Sequence, residues 1–389
     1  MRKSKRLLLV LCALVALILG AALQFFFNPM GLGPEPPAIL SSEFFAQPAD
    51  DLSALTLLVD GMEAFAKTLA AFDTASTAIY IQTFIWKDDA IGRHVVSGLK
   101  AAADRGVAIT VRKDIVGTVF ELGDLLAGKP SPVFTGAGLK NYPRIDVQLD
   151  WFAKTDHSKY FIVDHGLVIL GGMNIADEYH TQWHDYMVCV QSKAWTRSFE
   201  DKVLNGIAWP AAAPFVITVN DRHATEIRTA LIQMIDQAAE TLIIEQAYFS
   251  DDRIIAAVLR AARRGVRVTV VLPAEPDTHG YANRVTINQL LAAEAGTRLV
   301  VFFYPAMSHA KVALADGAIA AVGSANLTPR SMWTSSEIVL FAHGRKDDAF
   351  IRKLHDQLAA DIAASRQVTL PFELSFGEKV KALVGKYVW

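Results

Sequence analysis

The chain reads as α/β: two copies of one domain, each a mixed sheet flanked by helices, with the active site at their pseudo-twofold interface. Three observations predict this. First, His157-x-Lys159, followed after four residues by Asp164, recurs as His309-x-Lys311, followed after four by Asp316. Second, the agreement continues at fixed offsets. Asn174 and Asn326 each lie 15 residues past the Lys, and Asp185 and Glu337 each lie 11 past the Asn. Gly171-Gly172 aligns with Gly323-Ser324, Gln82 with Gln246, and Arg105-Gly106-Val107 with Arg264-Gly265-Val266. Third, short apolar runs rich in β-branched and aromatic residues alternate with helix-strand units in both halves. One His-x-Lys-x4-Asp could be accidental; two that agree at several further offsets mark a duplication.

The elements follow in order. Residues 7–27 form an apolar run of 21 residues, about 31 Å as a helix at roughly 1.5 Å per residue, enough to cross a bilayer. Arg2, Lys3, Lys5 and Arg6 precede it, which predicts a cytoplasmic N-terminus and a catalytic region on the outer face of the cell membrane. A cleaved signal peptide is the rival reading, because Ala21-Ala22 supplies small residues; the length of the run favours an uncleaved anchor. Residues 28–37 hold six Gly and Pro breakers and read as linker. The expected division is residues 1–27 anchor, 28–43 linker, 44–208 first domain, 209–370 second domain and 371–389 a C-terminal amphipathic helix.

Residues 51–75 show helical apolar spacing. Tyr160-Phe161-Ile162-Val163 and Leu167-Val168-Ile169-Leu170 read as a hairpin turning at Asp164-His165-Gly166. One strand is expected to carry His157 and Lys159, and Asn174 to follow the other. The second copy repeats the plan with a turn at Asp316-Gly317. The Pro- and Ala-rich stretch at residues 209–214 reads as the interdomain link. At the C-terminus Phe376, Val380, Leu383, Val384 and Tyr387 recur at helical spacing among three lysines, which suits a helix on a lipid surface or one docked on its own domain.

Composition narrows the function. The net charge is −2, and without the four leading basic residues the rest carries 34 Lys and Arg against 40 Asp and Glu, or −6. A general nucleic-acid binder needs a basic surface, so no nucleic-acid partner is expected. The two cysteines, Cys12 and Cys189, offer no internal disulfide framework.

His, Lys and Asn converging on one place suit a phosphate. Lys supplies fixed charge, the Asn amide supplies donors, and neutral imidazole can attack phosphorus or move a proton near neutral pH. Two such sets face to face put His157 and His309 on opposite sides of one phosphorus, one as nucleophile and the other serving the leaving oxygen. Lys159 and Lys311 already neutralise the anion, so neither metal nor other cofactor is needed. Asp164 and Asp316 sit where turns favour Asp, and are expected to be structural. His180 and His184 lie four apart near Asp185, but no Cys or Glu in the sequence pattern completes a zinc set, and the remaining histidines carry no motif.

At these residues the sequence resembles the phospholipase D superfamily, and specifically its bacterial cardiolipin synthases. HSKYFIVDHGLVILGGMNIADEY is similar to the first family motif and HAKVALADGAIAAVGSANLTPRS to the second. IYIQTFIWKDDAIG and AAADRGVAITVRKD resemble the opening units of the first half; AYFSDD and AARRGVRVTVVLP resemble those of the second. The resemblance covers nearly all of the chain after the linker. It implies phospholipase D-like domains with His157 as phosphohistidine nucleophile and His309 as general acid/base. It also implies Lys159, Lys311, Asn174 and Asn326 as phosphate holders, Asp185 and Glu337 as orienters of the two histidines, and Ser324 as a further donor. The implied substrates are membrane phospholipids: phosphatidylglycerol gives a phosphatidyl group to a second phosphatidylglycerol, yielding cardiolipin and glycerol. Gln82 departs from the Glu common in the synthases, TSSEIVL departs from their Asn-containing stretch, and residues 122–154 match poorly. These departures bear on acceptor choice. Phospholipase D hydrolysis, with phosphatidic acid released, uses the same site; a nuclease and a catalytically inactive lipid-binding module are the more distant readings. Oligomeric state is not legible in the sequence.

Overall fold

The computed structural model describes residues 38–388, apart from 136–137, 151–153, 210–214 and 293–297. The expected membrane anchor and most of the linker lie outside the described residues. Among the described residues no helix is long and apolar enough to cross a membrane.

Among the described residues fifteen strands form two mixed sheets. The first comprises β1 (Leu55–Val59), β2 (Ala78–Thr83), β3 (Ala108–Asp114), β4 (Ile145–Asp150), β5 (Tyr160–Val163), β6 (Leu167–Gly171) and β7 (Tyr186–Gln191). Its order is β1-β7-β6-β5-β2-β3-β4. The second comprises β8 (Phe215–Asn220), β9 (Thr241–Gln246), β10 (Arg267–Pro273), β11 (Leu299–Tyr304), β12 (Lys311–Ala315), β13 (Ile319–Gly323), β14 (Glu337–His343) and β15 (Arg366–Val368). Its order is β15-β11-β10-β9-β12-β13-β14-β8. Remove β15 and the two orders coincide strand for strand. Pairings β2–β3, β3–β4, β9–β10 and β10–β11 are parallel and the rest antiparallel, as helical crossovers and hairpins respectively require.

The repeated Arg-Gly-Val has a local cause. Helices Ala90–Asp104 and Asp252–Arg263 start on the capping carboxylates of Asp89 and Asp251. They end at Gly106 and Gly265, whose φ of 103° and 94° a side chain would resist. Arg105 and Arg264 then reach back to the carbonyls of Phe72 and Ile235, at the end of the preceding helix in each half.

Two outer cores bury the helices of each half against their own sheet, one around Phe72, Val95 and Leu99, the other around Met234, Val258 and Val270. A third core is shared. Leu57, Ile162, Val168 and Val188 of the first sheet pack against Val219, Val312, Val322 and Leu340 of the second. Both faces of each sheet are therefore buried, which explains why β5, β12 and β13 read as continuous apolar runs.

Three expectations change in detail. Residues 51–75 are not one helix: β1 precedes the helix Asp60–Thr74, because Leu55 and Leu57 are needed in the shared core. Neither histidine lies within a hairpin strand; His157 and His309 precede β5 and β12, in segments bonded to the other half. Residues 39–45 pack on the second half, where Gln233 bonds the backbone of Ile39 and Leu40 on both sides.

The motif aspartates sit at the hairpin tips with left-handed backbone (φ 51° at Asp164, 53° at Asp316). Asp164 accepts from the backbone N–H groups of Ser76, Thr77 and Ala78, and Asp316 from those of Ala239, Glu240 and Thr241. Each thus ties the start of β2 or β9 to its hairpin. Burial works against the Asp164 charge, but the N–H groups of Thr77, Ala78 and Ser76 outweigh it and hold the carboxyl well below its usual range. Replacing either Asp by Ala is expected to lower stability by about 1–3 kcal/mol in urea unfolding, the cost of orphaned donors. The Asp164 contribution is present above the ordinary carboxylate pKa of about 4 and is lost as pH falls below it.

Candidate active site

Two short backbone exchanges build the site. Asp156 bridges Ser336, with His157 N–H on the Ser336 carbonyl at 2.9 Å and Ser336 N–H on the Thr155 carbonyl at 2.7 Å. The twofold counterpart joins Ser308 to His184, with His309 N–H on the His184 carbonyl at 2.7 Å and His184 N–H on the Met307 carbonyl at 3.1 Å. Each exchange lays the residue before one half's acid beside the other half's histidine. The acids therefore cross the seam. His157 Nδ1 lies 3.0 Å from Glu337 Oε1, and His309 Nδ1 lies 2.7 Å from Asp185 Oδ2.

With Nδ1 so engaged, His157 Nε2 is left for chemistry, while His309 Nε2 lies 3.1 Å from Lys311 Nζ. Lys159, at the mouth of β5, donates to the carbonyl of His157; Lys311, the first residue of β12, donates to that of His309 at 2.6 Å. The lysines, His309, Asp185 and Glu337 are buried, while His157 keeps 17% of its side chain exposed. The charges of the two halves act on one another. Burial pushes Lys159 down to about 7, with Lys311 lowering it further against Glu337 and Asp185. Burial likewise pushes Lys311 down to about 8. His157 falls to about 4 through burial and the two lysines, against Glu337; His309 falls well below its usual range through burial, Lys311, Lys159 and His157 itself. The four groups thus occupy one electrostatic site.

The two halves differ at one informative place. Ser324 Oγ donates to Glu337 Oε2 at 2.5 Å, and Ser331 Oγ to Glu337 Oε1 at 2.7 Å. Ser324 therefore serves the acid rather than facing the phosphate position expected for it. Its counterpart is Gly172, where any Cβ would lie 2.4 Å from Asp185 Oδ1. Asp185 has the N–H of Tyr186 at 2.8 Å, and burial pushes it up to about 7 against the attraction of Lys311.

The asparagines also differ. Asn174 Oδ1 accepts from Ile85 N–H at 3.0 Å, which fixes the amide's orientation. Asn326 Oδ1 is buried without a protein partner. Aromatic rings complete the walls: Phe84 edge-on to His157 at 4.9 Å, Tyr179 edge-on to His309 at 5.0 Å, and Trp183 5.8 Å from His309. The sequence reading missed Tyr179 and Ser331, although both lie five residues past the repeated Asn, so the duplication offset carried the signal.

His184 was also passed over. Its Nδ1 lies 2.7 Å from Asp60 Oδ1 and its Nε2 3.2 Å from Asp361 Oδ2 and 3.8 Å from Glu245 Oε1. Among the described residues His184, Glu245 and Asp361 are the one group of donors close enough to share a metal ion. Carboxylates at both ring nitrogens are, however, the surroundings of an imidazolium. Burial opposes that charge, but Asp361 and Asp60 overcome it and push His184 up to about 11. Glu245 in turn accepts from Ser308 Oγ at 2.7 Å, next to His309. The partners come from three distant parts of the chain, which is why no spacing revealed them.

A fold of two sheet-for-sheet equivalent α/β halves, with duplicated imidazole–ammonium pairs at their seam, defines an enzyme of the phospholipase D superfamily. The comparisons narrow the class. The family model "Cardiolipin synthase, PLD-like domain" matches residues 68–205 and again 231–362, and the chain belongs to that family. It is 29% identical over 345 residues to cardiolipin synthase A of Pseudomonas entomophila, covering 80% of this chain and 69% of that protein. It is likewise 29% identical over 347 residues to cardiolipin synthase B of Shigella flexneri, covering 80% and 81%. Among solved structures, phosphatidylserine synthase of Haemophilus influenzae shares the fold, with a TM-score of 0.66 at 13% identity, covering 87% of this chain and 93% of that one. The chain is a phospholipid phosphatidyltransferase of the superfamily.

Replacing His184 by Leu is expected to leave Asp361 and Glu245 buried without their cation and to cost about 3–5 kcal/mol in urea unfolding. The raised pKa gives the sign. The His184 contribution is full below the ordinary histidine value near 6.5 and is lost as pH rises through about 11, so the difference between wild type and variant narrows at high pH.

Proposed function

We propose that the protein is a cardiolipin synthase-like phosphatidyltransferase that condenses two molecules of phosphatidylglycerol into cardiolipin and glycerol through a phosphohistidine. The observation that carries this reading is the crosswise pairing of each histidine with the acid of the other half, which engages both Nδ1 atoms beside the two buried lysines. Family membership supports the lipid identity. An N-terminal anchor would hold the catalytic region at the outer face of the cell membrane, where the lipid substrate lies.

The asymmetry of the acids supports the assignment of roles. Two hydroxyls donate to Glu337, leaving that carboxylate an acceptor for His157 Nδ1–H. The Nε2 lone pair of His157 is then free, and burial with two lysines nearby keeps the ring neutral. Asp185 and His309 hold a proton between them in a site that raises one and lowers the other. An arriving phosphodiester anion favours the imidazolium, so His309 is the ready acid.

In the first step His157 Nε2 bonds to phosphorus, the bond from phosphorus to the glycerol headgroup oxygen breaks, and His309 protonates that oxygen. In the second step His309 takes the proton of an incoming headgroup hydroxyl. That oxygen bonds to phosphorus and His157 leaves. Lys159, Lys311, Asn174 and Asn326 hold the non-bridging oxygens in a setting of low dielectric, where such donors act most strongly.

Purified protein with phosphatidylglycerol is expected to yield cardiolipin and glycerol by mass spectrometry; phosphatidic acid alone would make it a hydrolase. With bis(4-nitrophenyl) phosphate, whose leaving group needs no acid, His309→Ala is expected to keep a burst of nitrophenol while losing about 10²–10⁴ in turnover of the lipid. His157→Ala gives no burst. kcat/KM is expected to fall below about pH 4, as His157 takes a proton, and above about pH 7–8, as the two lysines lose charge.

A further inference from the structure

A second cavity adjoins the seam. It measures about 360 Å³, within the range of small ligand sites, and its walls are mainly apolar. Phe120 of the first half forms one side. His279, Tyr281 and Ala282 of the second half form another, and Val380 and Val384 of the terminal helix Phe376–Val388 close it.

Two chains of rings link this cavity to the active site. Phe120 packs on Phe84 at 5.5 Å, and Phe84 on His157 at 4.9 Å. His279 stacks on Tyr248 at 4.3 Å, and Tyr248 lies edge-on to His309 at 6.4 Å. The cavity thus stands one ring removed from both histidines. The Phe120 side is firmly held. Glu121 forms a buried ion pair with Lys113 at 2.9 Å and accepts from Trp86 N–H at 2.7 Å. Gly117 lies so close to the Phe84 carbonyl that a Cβ would meet it at 1.8 Å.

The terminal helix exposes further apolar side chains. Phe376 is 84% exposed and Leu383 59%, with Leu125 and Leu126 exposed near Phe120 in sequence. Lys379, Lys381 and Lys386 interleave with these on the same helix; Lys381 lies over the Tyr281 ring at 5.4 Å and Lys386 pairs with Asp252 at 2.6 Å. Exposed apolar area edged by cations fits an anionic lipid and serves no purpose for a free, chain-less phosphodiester.

We infer that this cavity is the acyl-chain site: one fatty chain of the phospholipid whose phosphate lies between His157 and His309 enters between Phe120 and the terminal helix. The inference rests on the phosphatidyl-transfer reading above. In a glycerophospholipid only a glycerol unit separates the phosphate from the first chain ester, so the chain must leave the phosphate site within a few bonds. An apolar slot one ring away meets that requirement. Val380 and Val384 are supplied by a helix outside both sheets, which makes the helix Phe376–Val388 part of substrate recognition.

The test uses the full chain and soluble monomeric phosphatidylglycerols from dibutanoyl to dioctanoyl. Wild-type KM is expected to fall with chain length, by up to about four-fold per methylene buried. Val384→Trp, at a half-exposed position where the added ring points into the slot, is expected to flatten that dependence. Its KM for the dioctanoyl lipid should rise at least about ten-fold, with kcat/KM for bis(4-nitrophenyl) phosphate unchanged. Val384→Ala should keep the dependence. An unaltered chain-length dependence in Val384→Trp overturns the inference, as does equal loss on both substrates. So does a defect seen only with vesicles, which would make the helix a membrane contact alone. If the wild type cleaves the nitrophenyl ester but no phospholipid, the proposed lipid function itself falls; an active wild type beside an unaffected variant removes only the chain site.

Discussion

Two backbone exchanges across the seam, Asp156 with Ser336 and Ser308 with His184, are the constraint on which the rest of the molecule depends. Each is only a bridge of two hydrogen bonds, but it lies one residue from a histidine on one side and one residue from an acid on the other. Neither half pairs its motif histidine, His157 or His309, with a carboxylate of its own. The crossed pairs exist only when the two sheets are face to face, and the shared core of Leu57, Ile162, Val312 and Leu340 keeps them so. Burial of apolar surface on a sheet face thereby sets the geometry of the two histidine–carboxylate pairs.

Duplication supplies two equivalent halves, and small departures from symmetry give their acids different surroundings. The exchange of Gly172 for Ser324 is the smallest of these. A hydroxyl at 324 reaches Glu337, whereas at 172 even a methyl group would collide with Asp185. The acids behind the two histidines consequently sit in unlike surroundings, one supplied with hydroxyl donors and the other buried with fewer. A larger departure lies behind His309, where the His184 imidazolium with Asp60, Asp361 and Glu245 stands in place of the hydroxyl residue Ser336 behind His157. Burying so many charges is costly unless each is paired, and here every carboxylate faces the same cation or a hydroxyl.

Much of this was legible in the linear chain. His157, Lys159, Asn174 and Asp185 and their counterparts stood out because a fixed spacing repeated. The Asp of each motif read as structural because turns favour Asp; that it ties a neighbouring strand's N–H groups to the hairpin came from the structure. The repeated Arg-Gly-Val marked equivalent places in the two halves. Other features were not legible. Residues 51–75 carry apolar positions compatible with a helix throughout, and only the need for an edge strand beside β7 makes Leu55–Val59 extended. His184 looked like half of an incomplete zinc pattern because Glu245 and Asp361 approach it from 61 and 177 residues away.

The sequence by itself determined that there are two homologous halves and where the hairpin turns at Asp164 and Asp316 fall, because these depend on spacing and on local backbone chemistry. Tertiary structure alone decided that each acid serves the opposite histidine, that Ser324 supports Glu337, that residues 39–45 lie on the second half, and that the terminal helix closes a slot beside the site. The reason is physical. Side chains compete for partners in space, and contacts across a seam are chosen by the packing of two sheets, which no periodicity along one chain records.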